Sequence, residues 1–176
     1  MRKIVLTFGL ISGAMLSAML LLTIPFMDKI GFEKGEVIGY TTMLLAFLMI
    51  YFGVRSYRDN VAGGTVKFGR AFLVGLAITM VASTCYVATW QVVYYKFAPD
   101  FLEKYSAFAM EKAKKSGASE AKVAATKKEM AEFVAFYKNP LANIAMTFLE
   151  PLPVGLLFAL GSAGILSRKR QAKAIS

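Results

Sequence analysis

The sequence contains no histidine and a single cysteine, Cys85. Without histidine the commonest general base is missing, and with it the usual catalytic triads and most zinc and haem ligation. One cysteine closes no internal disulfide, so cysteine usage says nothing about redox compartment. Acids are scarce where the chain is apolar: between Leu141 and Leu166 the only ionisable side chain is Glu150. No second carboxylate is expected beside it in the membrane, so a general acid/base pair has no partner. Gly63-Gly64 is a turn signal, because it lacks the Gly-Lys-Ser/Thr ending and the βαβ context of a phosphate cradle. These absences argue against an enzyme, and the chain carries no cofactor motif.

What is present is apolar residue in long blocks. Of 176 residues, 57% are hydrophobic and the mean hydropathy is +0.54. A soluble domain of this size is less apolar and spreads its apolar residues periodically. Four runs approach or exceed the roughly 20 residues of a spanning helix. They cover about 4–27, 37–54, 71–97 and 141–166. The second is the shortest, and Gly35 with Glu36 marks its start. Arg2 and Lys3 before an apolar run imitate a secretory signal, but the run outlasts a signal core and is read as a retained helix. The fold class is therefore all-α: one polytopic membrane domain over 1–176, with four transmembrane helices.

Charge sets the expected orientation. With both termini and the segment Arg55 to Arg70 on one side, that side gathers all six arginines, and Asp59 is its one acid. The opposite side carries lysines and acids in near balance. Short loops weigh most in the positive-inside rule, so both termini are placed in the cytoplasm and the protein in a bacterial inner membrane. The net charge of +10 is then read as contact with anionic lipid on the inner face, not with nucleic acid.

Residues 99–139, between spans three and four, form an outer insertion with helical periodicity. Phe101, Leu102, Tyr105 and Phe108 share one spacing, and Val123, Met130, Phe133, Val134 and Tyr137 another. Glu111 and Lys115 suit an i,i+4 pair. Ser116-Gly117-Ala118-Ser119 reads as a break with Ser119 as N-cap, and Asn139-Pro140 as the cap and first residue of span four. Two amphipathic helices follow. Their apolar faces pack together, lie on the membrane interface, or dock a partner.

Inside the spans, Gly9, Gly13 and Ser17 recur at i,i+4,i+8, and Gly155, Ala159 and Ala163 repeat the spacing. Such stripes let helix backbones approach, within one chain or in a homo-oligomer. Thr79, Ser83, Tyr86 and Trp90 share one face of span three. Trp90, Tyr94 and Tyr95 near its outer end suit an aromatic belt.

Glu150 stands near the middle of span four, directly before Pro151 and three residues before Pro153. Neither proline donates a backbone hydrogen bond, so the carbonyls of Thr147 and Leu149 are freed and a kink is expected. A carboxylate at that depth is neutral, paired or functional. Three uses are open: a neutral staple to the polar face of span three, a proton or cation relay in a small transporter, or a contact to a partner membrane subunit. The first and third make the protein an accessory or scaffold component; the second makes it a proton- or cation-coupled transporter.

Three stretches carry a family pattern: Tyr57-Arg58-Asp59 at the exit of span two, Phe68-Gly69-Arg70-Ala71-Phe72 with Gly75, and Phe148-Leu149-Glu150-Pro151-Leu152-Pro153-Val154-Gly155 before a basic tail. In their order and spacing the chain resembles the bacterial membrane family catalogued as domain of unknown function 4199. The resemblance implies a four-helix inner-membrane protein and brings no established activity or catalytic residue. It suggests that Arg58, Asp59 and Glu150 matter.

Overall fold

The computed structural model describes residues 1–168; Lys169, Arg170 and Lys173 of the basic tail lie outside the described residues. Its breaks fall at prolines, glycines and capping side chains. Helix α1 (Arg2–Thr23) runs into a tight turn, Ile24–Phe26, that contains Pro25. A single helical turn, α2 (Met27–Ile30), stops at Gly31. Gly31 has φ of 82°, a conformation that costs a side chain dearly and glycine little. Helix α3 (Phe32–Asn60) follows at once. Residues 61–67 turn back, and α4 (Phe68–Val92) ends in one wide turn, Val93–Phe97.

The insertion is a helical hairpin. Helix α5 (Phe101–Lys115) and helix α6 (Glu120–Tyr137) are joined across Gly117. The Ser119 hydroxyl accepts from the Lys122 N–H at 3.3 Å and caps α6. Asn139 Oδ1 accepts from the N–H groups of Leu141 at 2.9 Å and Ala142 at 3.4 Å, opening α7 (Pro140–Leu149). After Glu150 and Pro151 the chain resumes as α8 (Leu152–Leu166).

Four stretches are long and apolar enough to cross a membrane: Arg2–Ile30, Phe32–Asn60, Phe68–Phe97 and Pro140–Leu166. Their outward faces expose Leu22, Val37, Leu73, Leu141 and Leu157, surfaces that suit lipid and would aggregate in water. The protein is a multi-pass membrane protein. Span three is the hub: half of its apolar window is buried inside the protein, against 22% for span four.

Small residues make that hub possible. A Cβ on Gly9 would sit 2.7 Å from Val81, and one on Gly13 2.6 Å from the Cβ of Cys85. Ser17 completes the stripe by accepting the Thr89 hydroxyl at 2.8 Å. On the other flank, a Cβ on Gly155 would collide with Thr79, and Gly75 meets Ala159. Both stripes are packed within the chain. Between them Ile50, Val54, Val74, Ile78, Ala159 and Ala163 are fully buried. Close packing of this kind is the main attraction available between helices in lipid.

Three local expectations change. Gly35 and Glu36 do not start span two, because α3 begins at Phe32 behind Gly31. Gly35 is a packing glycine instead: a Cβ there would lie 2.8 Å from the Met27 sulfur. The loop expected over Arg55 to Arg70 shrinks to 61–67, since both flanking helices continue into it. Trp90 and Tyr94 do not form a lipid-facing belt. They are buried against Phe101 and Tyr137, and of the three only Tyr95 is exposed.

Candidate functional site

Span four is two helices because of Pro151. The Glu150 N–H still bonds the Met146 carbonyl at 3.2 Å, and the next backbone bond of this kind is Gly155 N–H to the Pro151 carbonyl at 2.9 Å. Pro151 itself is fully buried at the joint. Below it, α8 packs against α3 and α4; above it, α7 packs on α4 and α6 and makes at most sparse contact with α3. The kink therefore opens span four away from span two in the half that carries the hairpin.

That gap is a cavity of about 440 Å³. Helix α3 gives Glu36, Gly39 and Tyr40 to one side, and α7 gives Met146 and Thr147 to the other, with Glu150 just past its end. Tyr86 and Trp90 of α4 form its back, and Tyr105 and Tyr137 of the hairpin its roof. Glu150 is exposed there while protein surrounds it on most sides. The Tyr86 hydroxyl donates to its Oε2 at 2.9 Å. Tyr86 belongs to the Thr79-Ser83-Tyr86-Trp90 face; Thr79 instead donates back to the Gly75 carbonyl of its own helix, and Ser83 Oγ has no hydrogen-bond partner among the described residues.

A second polar chain holds α7 in place. Gln91 Nε2 donates to Asn143 Oδ1 at 2.8 Å. The Thr147 hydroxyl donates to the Asn143 carbonyl at 2.8 Å, so the Tyr137 hydroxyl, 3.1 Å away, is the donor to Thr147. Aromatic rings close the roof. Phe32 of α3 stacks on Phe108 at 5.2 Å, and Trp90 meets Phe101 edge-on at 5.0 Å. Lys104 ties the hairpin down, with Nζ 2.7 Å from Asp28 and 2.9 Å from Asp100.

The roof tyrosines stay neutral. Burial, then the nearby Glu36 carboxylate, Tyr40 and Glu150, push the Tyr105 phenol up. Burial does the same to Tyr137. Both remain hydrogen-bond donors at ordinary pH.

Of the residues singled out from the sequence, Glu150, Pro151 and Pro153 lie at the kink, and Glu150 also lines the cavity. Arg58 and Asp59 lie at the opposite end. The Arg58 Nε donates to Asp59 Oδ1 at 2.7 Å, with Arg55 3.6 Å from the other oxygen. Twenty-two residues of α3 separate Glu36 from Arg58, roughly 33 Å at the rise of a helix. Gly9, Gly13, Ser17, Gly155 and Ala159 serve helix contacts. Sequence reasoning missed Glu36, Asn143, Thr147 and Tyr137. For Asn143 the signal was there, since an amide inside an apolar span needs a partner. Among the described residues no three His, Cys, Asp or Glu side chains converge to hold a metal ion.

A family model described as "Protein of unknown function (DUF4199)" matches residues 7–168, and the chain belongs to that family. No curated protein and no solved structure matches it.

Proposed function

We propose that this DUF4199 protein is a non-enzymatic accessory component of a bacterial inner membrane that holds a small ligand in the cavity beneath its helical hairpin. One observation carries this reading: an exposed carboxylate lines a 440 Å³ cavity that is roofed by aromatic side chains. That volume is typical of small-molecule sites. An intramembrane carboxylate facing a cavity is the usual mark of function in a membrane protein.

Binding is favoured over transport by what lies below. Met43, Phe47, Ile50 and Val54 of α3, with Ile78, Ala159 and Ala163, are buried almost completely, so the cavity ends on packed side chains. A proton- or cation-coupled transporter using Glu150 would need that packing to open. Orientation rests on charge: the end that carries Arg55, Arg58 and Arg70 faces the cytoplasm and the hairpin faces outward.

Two experiments test these points. Native mass spectrometry of the protein in native nanodiscs is expected to show a bound small molecule. Gly39→Phe is expected to remove it, because an added Cβ at Gly39 meets nothing within 4 Å and a ring there fills the cavity. An empty wild-type protein, or a ligand retained by the filled variant, overturns the binding role. A topology reporter inserted after Ser116 that reads cytoplasmic overturns the orientation.

A further inference from the structure

Twenty-one of the described residues line the cavity, and none of these is lysine or arginine, although the chain has 21 of them. Two of the chain's 11 acids are there, Glu36 and Glu150. In a protein of net charge +10, this lining holds acids and, among the described residues, no base. Its walls are also aromatic: eight of the 21 are Phe, Tyr or Trp, whereas aromatics make up 13% of the chain. Tyr86 engages Oε2 of Glu150, and Oε1 accepts no hydrogen bond from the described residues. Trp90 is 5% exposed, and its indole N–H faces the Tyr137 hydroxyl.

We infer that the cavity is a site for an organic ammonium ion that carries an apolar body. This rests on the ligand-holding role proposed above and names the class of ligand. Glu150 and Glu36 supply the counter-charge. The rings of Tyr40, Tyr86 and Tyr105 add cation–π attraction for the desolvated ammonium. A metal ion fits poorly, because hard cations need six or more oxygen ligands or retained water, and the walls offer rings instead. An anion would meet two carboxylates and no base. The ammonium has two sources: a soluble amine entering under the hairpin, or the headgroup of an ethanolamine lipid entering between α3 and α7.

Trp90 is the sole tryptophan of the chain and lines the site, so its fluorescence reports occupancy. In nanodiscs of phosphatidylglycerol, benzoylcholine is expected to change it saturably. The neutral isostere 3,3-dimethylbutyl benzoate is expected to bind about tenfold more weakly or worse. Glu150→Gln is expected to weaken benzoylcholine about tenfold and Glu36→Gln several-fold, with unchanged circular dichroism. Glu36 is exposed at the rim, so its variant keeps the test alive if the Glu150 variant unfolds. Adding phosphatidylethanolamine separates the sources. Competition in wild type that vanishes in Glu150→Gln assigns the site to the headgroup; no competition assigns it to a soluble amine. Equal affinity for the two esters, or unchanged affinity in both variants, overturns the ammonium assignment while the mass-spectrometric ligand still supports binding. No saturable response to either ester overturns it as well.

Discussion

Tyr86 and Glu150 lie 64 residues apart and meet through a 2.9 Å hydrogen bond across the seam between spans three and four. The phenol is 4% exposed, so without its acceptor it has little water to turn to. Tyr86→Phe is expected to destabilise by about 0.6–1.7 kcal/mol, the range for such bonds in bilayers. Glu150→Leu strands the hydroxyl and is expected to cost about 1–3 kcal/mol. Glu150→Gln keeps an acceptor oxygen and is expected to cost less than Leu. Reversible unfolding in mixed micelles ranks the three. A Leu variant as stable as wild type would remove Glu150 from the architecture and leave it only a binding role.

Glycines of span four differ in what they face. Gly155 abuts Thr79, where an added methyl has no room, while Gly161 and Gly164 have no atom within 4 Å of an added Cβ. Gly155→Ala is expected to destabilise by about 1–3 kcal/mol through overpacking. Gly161→Ala is expected to be neutral or to stabilise by up to about 1 kcal/mol through helix propensity. Melting temperatures of the two variants in one detergent decide this. Equal shifts would mean that α8 does not seat on α4 as described.

Lys104 joins the hairpin to the turn before α3 through Asp28 and within α5 through Asp100. Lys104 holds the Asp100 carboxyl below its ordinary 3.8, so this contribution exists above that value and is lost as pH falls through the lowered one. Asp28, then Asp100, hold the Lys104 ammonium above its ordinary 10.5, so its contribution exists below that value and is lost as pH rises through the raised one. All three groups are exposed and screened by salt. Amide exchange in Phe101–Lys115 is expected to speed up in Lys104→Met at neutral pH. It is expected to speed up in wild type at about 1 M salt, where the Debye length is about 3 Å. Salt that acts equally on variant and wild type would exclude this ion pair as the tether.

Much of the fold is legible along the chain because it is written locally. Apolar runs give the four spans, and Ser119, Asn139-Pro140 and Glu150-Pro151 mark helix ends by cap and proline chemistry that involves near neighbours alone. The site is less legible because it is not local. Glu36 joins Glu150 only once α3 is known to start at Phe32, and that start hangs on the backbone angle of Gly31. Trp90 and Tyr94 read as belt residues until the hairpin folds over them. Asn143 finds Gln91 across 52 residues, a pairing with no counterpart in spacing or composition.

The kink at Pro151 also divides the molecule mechanically. On one side of it, glycine and alanine bring the helices together with no space to yield; on the other, the helices stand apart around a cavity of about 440 Å³. Compressibility is therefore concentrated in one leaflet's depth of the protein. Hydrostatic pressure, which favours states of smaller volume, acts first on the half beneath the hairpin. A change in bilayer thickness reaches the same half through α7, whose footing on α3 is slight, while α8 stays clamped.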